Sequence, residues 1–326
     1  MNEMDIDKLL PKIAHLYYLE DMNQDKIAEK FNINRVRVSR YLKKAREKKI
    51  VEIKVHYTRE SYHELERIIE KQYGLKECIV IPTHDTPLEI IADLADSLSG
   101  VLQRILQNGG SVGVNWGLTL KEVVALMKSQ RKIDIRVVPI CGGLGKIERG
   151  IHTNAIARGL ADVFGGMSYV INAPAILDSR KTRDFLLGDS NTREIFELLN
   201  ELSCAVFSFS DLGHESSHVK YGFIGTDEVE YLRGLGVVGD VNLNFVDRNG
   251  SLVPNRVGDR IIALPLADIR SIRNVVGIAY GKRKGEITRA VLRGGIVDVL
   301  IIDRELAEIV ISDLSRVLYG ERETAS

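Results

Sequence analysis

Between residues 78 and about 320, short β-branched runs alternate with longer stretches of helical period. CIVIP (78–82), SVGVN (111–115), DIRVVPI (134–140), SYVIN (168–172), CAVFSFS (204–210), GVVGDV (236–241), VVGIAYG (275–281) and VDVLIID (297–303) read as strands. PLEIIADLADSLSGVLQRIL, LTLKEVVALMK, HTNAIARGLADVFGG, GEITRAVLRGG and RELAEIVISDLSRVL read as helices. A strand whose successor arrives only after a helix pairs with it in parallel. The pattern therefore predicts an α/β domain with a Rossmann-like, mainly parallel sheet covered by helices on both faces. VDRNGSLV (246–253) adds a local hairpin signal. Sheets of this kind take ligands at the carboxyl ends of their strands.

The loops at those ends are the candidate site. SVGVNWGLTL (111–120) runs from strand through a glycine loop into a helix, an arrangement in which free backbone N–H groups and the helix dipole face one anion. CGGLG (141–145), NAP (172–174), SDLG (210–213), GDVN (239–242) and YGKRKGE (280–286) are the other strand ends. In the last, Lys282, Arg283 and Lys284 meet a helix start, where cations gain nothing from the dipole. An anionic ligand would resolve that misfit, and so would plain solvent exposure. GVNWG is not GxGxxG, and no GK[ST] is present, so neither a dinucleotide nor a nucleoside triphosphate is expected. Asp240 and Asn242 are of a type that binds sugar hydroxyls or caps a turn. Cys141 reads as a small core residue. His152 and His214 lack metal-like spacing, so no metal and no cofactor are expected.

The chain has 326 residues, 44% hydrophobic and 28% charged, with 45 basic and 45 acidic residues. That is an ordinary globular composition with room for a small head and a large domain. The three cysteines, Cys78, Cys141 and Cys204, are odd in number and far apart, which suits a reducing cytoplasm. No apolar run approaches the ~20 residues of a membrane span, and MNEMDIDKLL is too polar for a signal peptide.

The zero net charge conceals a basic helix. In residues 1–56, DIDKLLPKIAHLYYLE and NQDKIAEKF are helical, and NIN is a tight turn in which Asn32 tolerates a left-handed conformation. RVRVSRYLKKAREKK follows, with Asn34 as its N-cap and Asn23 capping the helix before it. At 100° per residue, Val38, Tyr41, Leu42 and Ala45 face inward. Val36, Arg37, Ser39, Arg40, Lys43 and Lys44 face outward or to the flanks, and Arg35 lies at the start beside the core face. This is the grammar of a helix-turn-helix that reads double-stranded DNA. Arginines can bond guanine edges, Val36 can touch a thymine methyl, and the lysines suit phosphates. IVEIKV (50–55) alternates as a small wing would. The stretch 57–77 reads equally as a linker helix or as a surface helix of the domain from 78 to 326.

Head and body together resemble the SorC/DeoR-type sugar-binding transcriptional regulators. The resemblance is carried by NQDKIAEKFNINRVRVSRYLKKAREKKIVEI, VGVNWGLTL, NAP and VGIAYGKRKGEITRAVLRGGIVDVLIID, and is loose over 180–235. It implies a bacterial repressor or activator that binds operator DNA. Its effector domain would be similar to sugar-phosphate isomerases, glucosamine-phosphate deaminases and CoA transferases. Its effector would be a sugar or sugar phosphate, and its assembly a dimer or tetramer. By position, the effector would meet Gly113, Asn115, Trp116, Gly117 and Thr119 on the opening loop, then Asp240 and Lys284. Gly143 and Asn154 are further carry-overs. SFSDLG departs from the glycine-rich form usual at that strand end. The alternative is an isomerase or deaminase fused to a DNA-binding head, for which Asp211 and His214 form no recognisable constellation. A purely architectural DNA binder is the third reading.

Overall fold

The computed structural model describes residues 3–52, 62–143, 152–213 and 215–319. It divides into two compact units, Met1–Ser61 and Tyr62–Ser326.

The smaller unit holds α1 (Glu3–Tyr18), α2 (Gln24–Phe31) and α3 (Arg35–Glu47). Local chemistry sets each boundary. Asn23 Oδ1 accepts from the Lys26 N–H at 2.9 Å, and Asn34 Oδ1 from the Arg37 N–H at 2.8 Å. Asn32 ends α2 in the left-handed region, at φ 51° and ψ 48°. Leu10, Ile13, Ile27, Ala28, Val38 and Leu42 close one apolar core. The wing expected at 50–55 lies largely outside the described residues.

The larger unit opens with α4 (His63–Tyr73), β1 (Glu77–Ile81), α5 (Pro87–Ile105), β2 (Ser111–Val114) and α6 (Leu118–Leu126). It continues through β3 (Arg136–Pro139), α7 (Thr153–Phe164), β4 (Met167–Ser168), α8 (Arg180–Gly188) and α9 (Ser190–Leu198). Then come β5 (Cys204–Asp211), α10 (Ser217–Lys220), α11 (Thr226–Gly234), β6 (Val237–Val241), β7 (Asn244–Asp247) and α12 (Leu266–Ser271). The unit closes with β8 (Val275–Ala279), α13 (Gly285–Arg293), β9 (Val299–Asp303) and α14 (Arg304–Tyr319).

The sheet runs β1-β9-β8-β5-β2-β3-β4 with every neighbour parallel. Side chains alternate between two cores, as a period of two requires. Cys78, Val80, Ala205, Phe207, Leu300 and Ile302 point to one face. Val112, Val114, Val206, Val276, Ile278 and Ile301 point to the other. β6 departs from the parallel pattern. It pairs antiparallel with the end of β5, setting Ser210 opposite Asp240, and β7 pairs back on it. A third core, with Trp116, Leu212, Leu243 and Phe245, caps that end.

One expectation changes and one alternative is decided. Of SYVIN only Ser168 lies in the sheet, at the end of β4, because the Asn154 side chain takes both backbone groups of Ile171 at 3.1 Å. Of the two readings of 57–77, the helix of the larger domain is the one that fits: Ile69 is fully buried in the core with Cys78 and Val80, and the two units divide before Tyr62. No helix among the described residues is long and apolar enough to cross a membrane.

Candidate functional site

In the smaller unit, α3 presents Arg35, Val36, Arg37, Ser39, Arg40 and Lys43 to solvent, while Lys44 is half-buried. Val36 is 66% exposed, unusual for an aliphatic residue on a helix that buries four others. Arg35 has Asp25 at 3.8 Å and Lys43 has Glu47 at 3.9 Å. Exposed pairs this long are weak enough to yield to a phosphate.

In the larger unit, the ends of β2, β5, β8 and β9 surround a cavity of about 430 Å³. Its floor is the start of α6. Gly117 stands at the N-cap with φ 151° and no side chain caps the helix, so its first N–H groups are open to a ligand. A Cβ on Gly117 would lie 2.5 Å from Ser208 Oγ. Only glycine fits that backbone and that approach. Asp303 shapes the opposite wall. Its Oδ1 accepts from the Gly281 N–H at 3.0 Å and its Oδ2 from Thr83 Oγ1 at 3.3 Å, and burial raises its carboxyl. Gly281 turns there at φ 85° and delivers Lys282–Lys284 to the cavity.

The three cations differ. Lys282 pairs with Glu305 at 2.8 Å and Arg283 with Asp211 at 3.3 Å. Lys284 forms no ion pair among the described residues. Its Nζ stands 3.5 Å from Thr119 Oγ1, and burial pushes it down to about 8 against the pull of Asp211 and Asp240. A half-buried ammonium facing an uncapped helix start is a site for an anion.

The expected residues therefore separate. Gly117, Thr119 and Lys284 converge on this cavity. Gly113 does not reach it: a Cβ there would meet Ile140 at 2.5 Å and Leu202 at 2.8 Å, so it is a packing position inside the sheet. Asn115 is buried and ties β2 to β5, its Nδ2 donating to Ser208 O at 2.8 Å and its Oδ1 accepting from the Ser208 N–H at 3.3 Å. Trp116 is in the loop but its indole turns away, edge-on to His218 at 5.0 Å and Phe223 at 5.2 Å. Asp240 is buried, with His218 Nε2 donating to its Oδ1 at 2.5 Å and the Leu243 N–H to its Oδ2 at 2.7 Å. Gly143 and Asn154 line a different cavity, of about 820 Å³, with Arg260. That cavity is larger, and the guanidinium among its described lining residues is already held, Arg260 by Glu228 and by Leu177 O. Cys141 is fully buried and its thiol is pushed up to about 11 by burial, as suits a core residue. His214 lies outside the described residues.

Ser208 and Ser216 line the cavity and carry no sequence signal for it, while Tyr280 opens the YGKRKGE loop singled out above. His218, which holds Asp240, sits on the four-residue α10, too short for a pattern to reveal. Among the described residues no cluster of His, Cys, Asp and Glu has the makings of a metal site.

Residues 57–312 match the family described as "Putative sugar-binding domain". The sorbitol operon regulator of Klebsiella pneumoniae is 30% identical over 315 residues, 95% of this chain and 100% of that one.

The chain belongs to the SorC family of sugar-binding transcriptional regulators.

The deoxyribonucleoside regulator of Bacillus subtilis (strain 168) is equally similar, 30% identical with the same coverage. In three dimensions, this SorC-family chain matches the full-length crystal structure of the K. pneumoniae regulator with a TM-score of 0.72 and 29% identity, over 95% of this chain and 100% of that one. The chain is a transcriptional regulator with a sugar-binding domain.

Proposed function

We propose that the larger unit senses a small phosphorylated sugar and that α3 holds double-stranded operator DNA through Arg35, Arg37, Arg40, Lys43 and Lys44. One observation carries the effector reading: the enclosed Lys284 ammonium beside Thr119, facing the uncapped start of α6. The phosphate would take the α6 N–H groups, Thr119 Oγ1 and Lys284 Nζ. The sugar would extend toward Asp240 and the serines of β5. Relatives named for sorbitol and deoxyribonucleoside operons support a polyol or sugar scaffold.

Control follows from differential affinity. An effector that binds one of two states better shifts the protein toward it, and DNA affinity follows. As a cytoplasmic dimer or tetramer, the protein would meet a palindromic operator with two heads. Catalysis is the weaker reading. The His218–Asp240 pair is the acid–base couple beside the cavity, yet the ring is fully buried and its Nε2 is committed to Asp240.

The test is a titration of the full-length protein with pentose, hexose and hexitol phosphates and with their free sugars, followed by Trp116 emission and calorimetry. Saturable binding of a phosphorylated member, lost in Lys284→Met while operator binding persists, supports the reading. Equal binding of the free sugar removes the phosphate from it, and turnover of any member revives the enzyme.

A further inference from the structure

His218 is fully enclosed, and its side chain makes one polar contact, to Asp240. With the Leu243 N–H on the other oxygen, that contact fixes both carboxylate oxygens in one orientation. Asp240 lies opposite Ser210, a residue of the cavity wall. The imidazole ring also packs on Trp116, the residue before the glycine of the phosphate cradle. His218 Nδ1 has no partner among the described residues.

That orphaned nitrogen argues against a packing role. An apolar side chain of similar volume would fill the space beside Trp116 without stranding a buried polar atom. What histidine supplies and leucine cannot is the N–H to Asp240. A carboxylate so held keeps its remaining lone pairs for donors, and the donors on a sugar are its hydroxyls.

We propose that His218 is a positioning residue: it sets the orientation in which Asp240 receives the sugar's hydroxyls, and it links that carboxylate through Trp116 to the cradle. The proposal rests on the reading that Asp240 meets the sugar. The effector then carries vicinal hydroxyls at its non-phosphate end, and His218 acts on their recognition without touching the ligand.

The experiment uses the full-length protein and its His218→Leu, His218→Gln, Asp240→Asn and His218→Leu/Asp240→Asn variants. The probes are inorganic phosphate and the tightest-binding member of a panel of pentose, hexose and hexitol phosphates, measured by calorimetry. Thermal unfolding first establishes that each variant is folded. Should the leucine variant not fold, His218→Met makes the same comparison. The expectation is that phosphate affinity stays within about twofold throughout. Sugar-phosphate affinity falls about tenfold in His218→Leu and Asp240→Asn, the scale of one lost charge-assisted hydrogen bond. The double variant is no weaker than Asp240→Asn alone. His218→Gln, whose amide N–H reaches about as far as Nε2, recovers most of the loss. Trp116 emission changes in the ligand-free His218 variants.

Parallel loss of phosphate and sugar-phosphate binding in His218→Leu would mark a merely structural residue and overturn the proposal. So would failure of both apolar variants to fold, or unchanged binding while Asp240→Asn is impaired. If Asp240→Asn itself binds normally, or no sugar phosphate binds tighter than phosphate, the Asp240 reading fails first and takes the proposal with it.

Discussion

Replacing Lys284 by methionine should weaken effector binding by at least about tenfold and stabilise the protein at once. The ammonium stands 3.5 Å from Thr119 Oγ1 in a site with no ion-pair partner described, so its charge is available to a phosphate. Losing one charge-assisted hydrogen bond costs about 1.5–3 kcal/mol, roughly 10- to 150-fold in affinity. The same lysine makes binding pH-dependent. With its ammonium at about 8, the charged fraction falls from about nine-tenths at pH 7 to about one-tenth at pH 9, so affinity should fall about tenfold. A sugar phosphate is the right probe, since a phosphate monoester has its second ionisation near pH 6 and changes little over that range. The stability effect has the opposite sign. Below pH 8 the lysine is charged both folded and unfolded, and the folded state bears the cost of enclosing it. Above its ordinary 10.5 neither state is charged and the cost is gone. Urea unfolding should therefore show Lys284→Met more stable at pH 7, by at most about 3 kcal/mol given the depression to about 8, with the gap closing as pH rises through 8 to 10.5. Calorimetry at pH 7, 8 and 9 checks the first part. Equal affinity at pH 7 and 9, or wild-type binding by the methionine variant, would refute the assignment of the anion to Lys284.

Gly117→Ala should weaken sugar-phosphate binding and lower stability by about 1–3 kcal/mol, because a Cβ would lie 2.5 Å from Ser208 Oγ on a backbone at φ 151°; wild-type binding would show that the loop relaxes freely. Arg40→Ala should weaken binding to a palindromic operator selected from random DNA by about 1–3 kcal/mol and relax its sequence preference, and unchanged operator binding would remove Arg40 from the DNA contacts. Asn34→Ala, losing the 2.8 Å cap on Arg37, should cost the smaller unit about 1 kcal/mol by thermal unfolding.

What could be read beforehand was local. Asn23, Asn32 and Asn34 declare the ends of α2 and α3 because caps and left-handed turns are matters of neighbouring residues. The strand ends were legible for the same reason: a β-branched run stops and a glycine follows. What depends on distant chain was not. The partners of Lys282 and Arg283 arrive from other elements, Glu305 from the start of α14 and Asp211 from the end of β5, so three cations in sequence hide two ion pairs and one open charge. Asn154 reads as a ligand residue, yet it spends its amide on Ile171 and shortens β4. Trp116 reads as part of the cradle, yet it faces the wall built from α10, whose few residues carry no period.

The pairing of β1 with β9 has a consequence for how the protein is made. Glu77 pairs with Val299, about 220 residues later, and β9 is the only sheet neighbour that β1 has among the described residues. On the ribosome, the first strand of the larger unit waits for the last, while the described apolar core of the smaller unit is closed within Ile6–Val51. A growing chain thus completes the smaller unit, proposed above to hold DNA, before the larger one can close. The larger unit completes its sheet only when β9 emerges, so a chain halted short of that strand would carry α3 without the cavity that the ends of β2, β5, β8 and β9 surround.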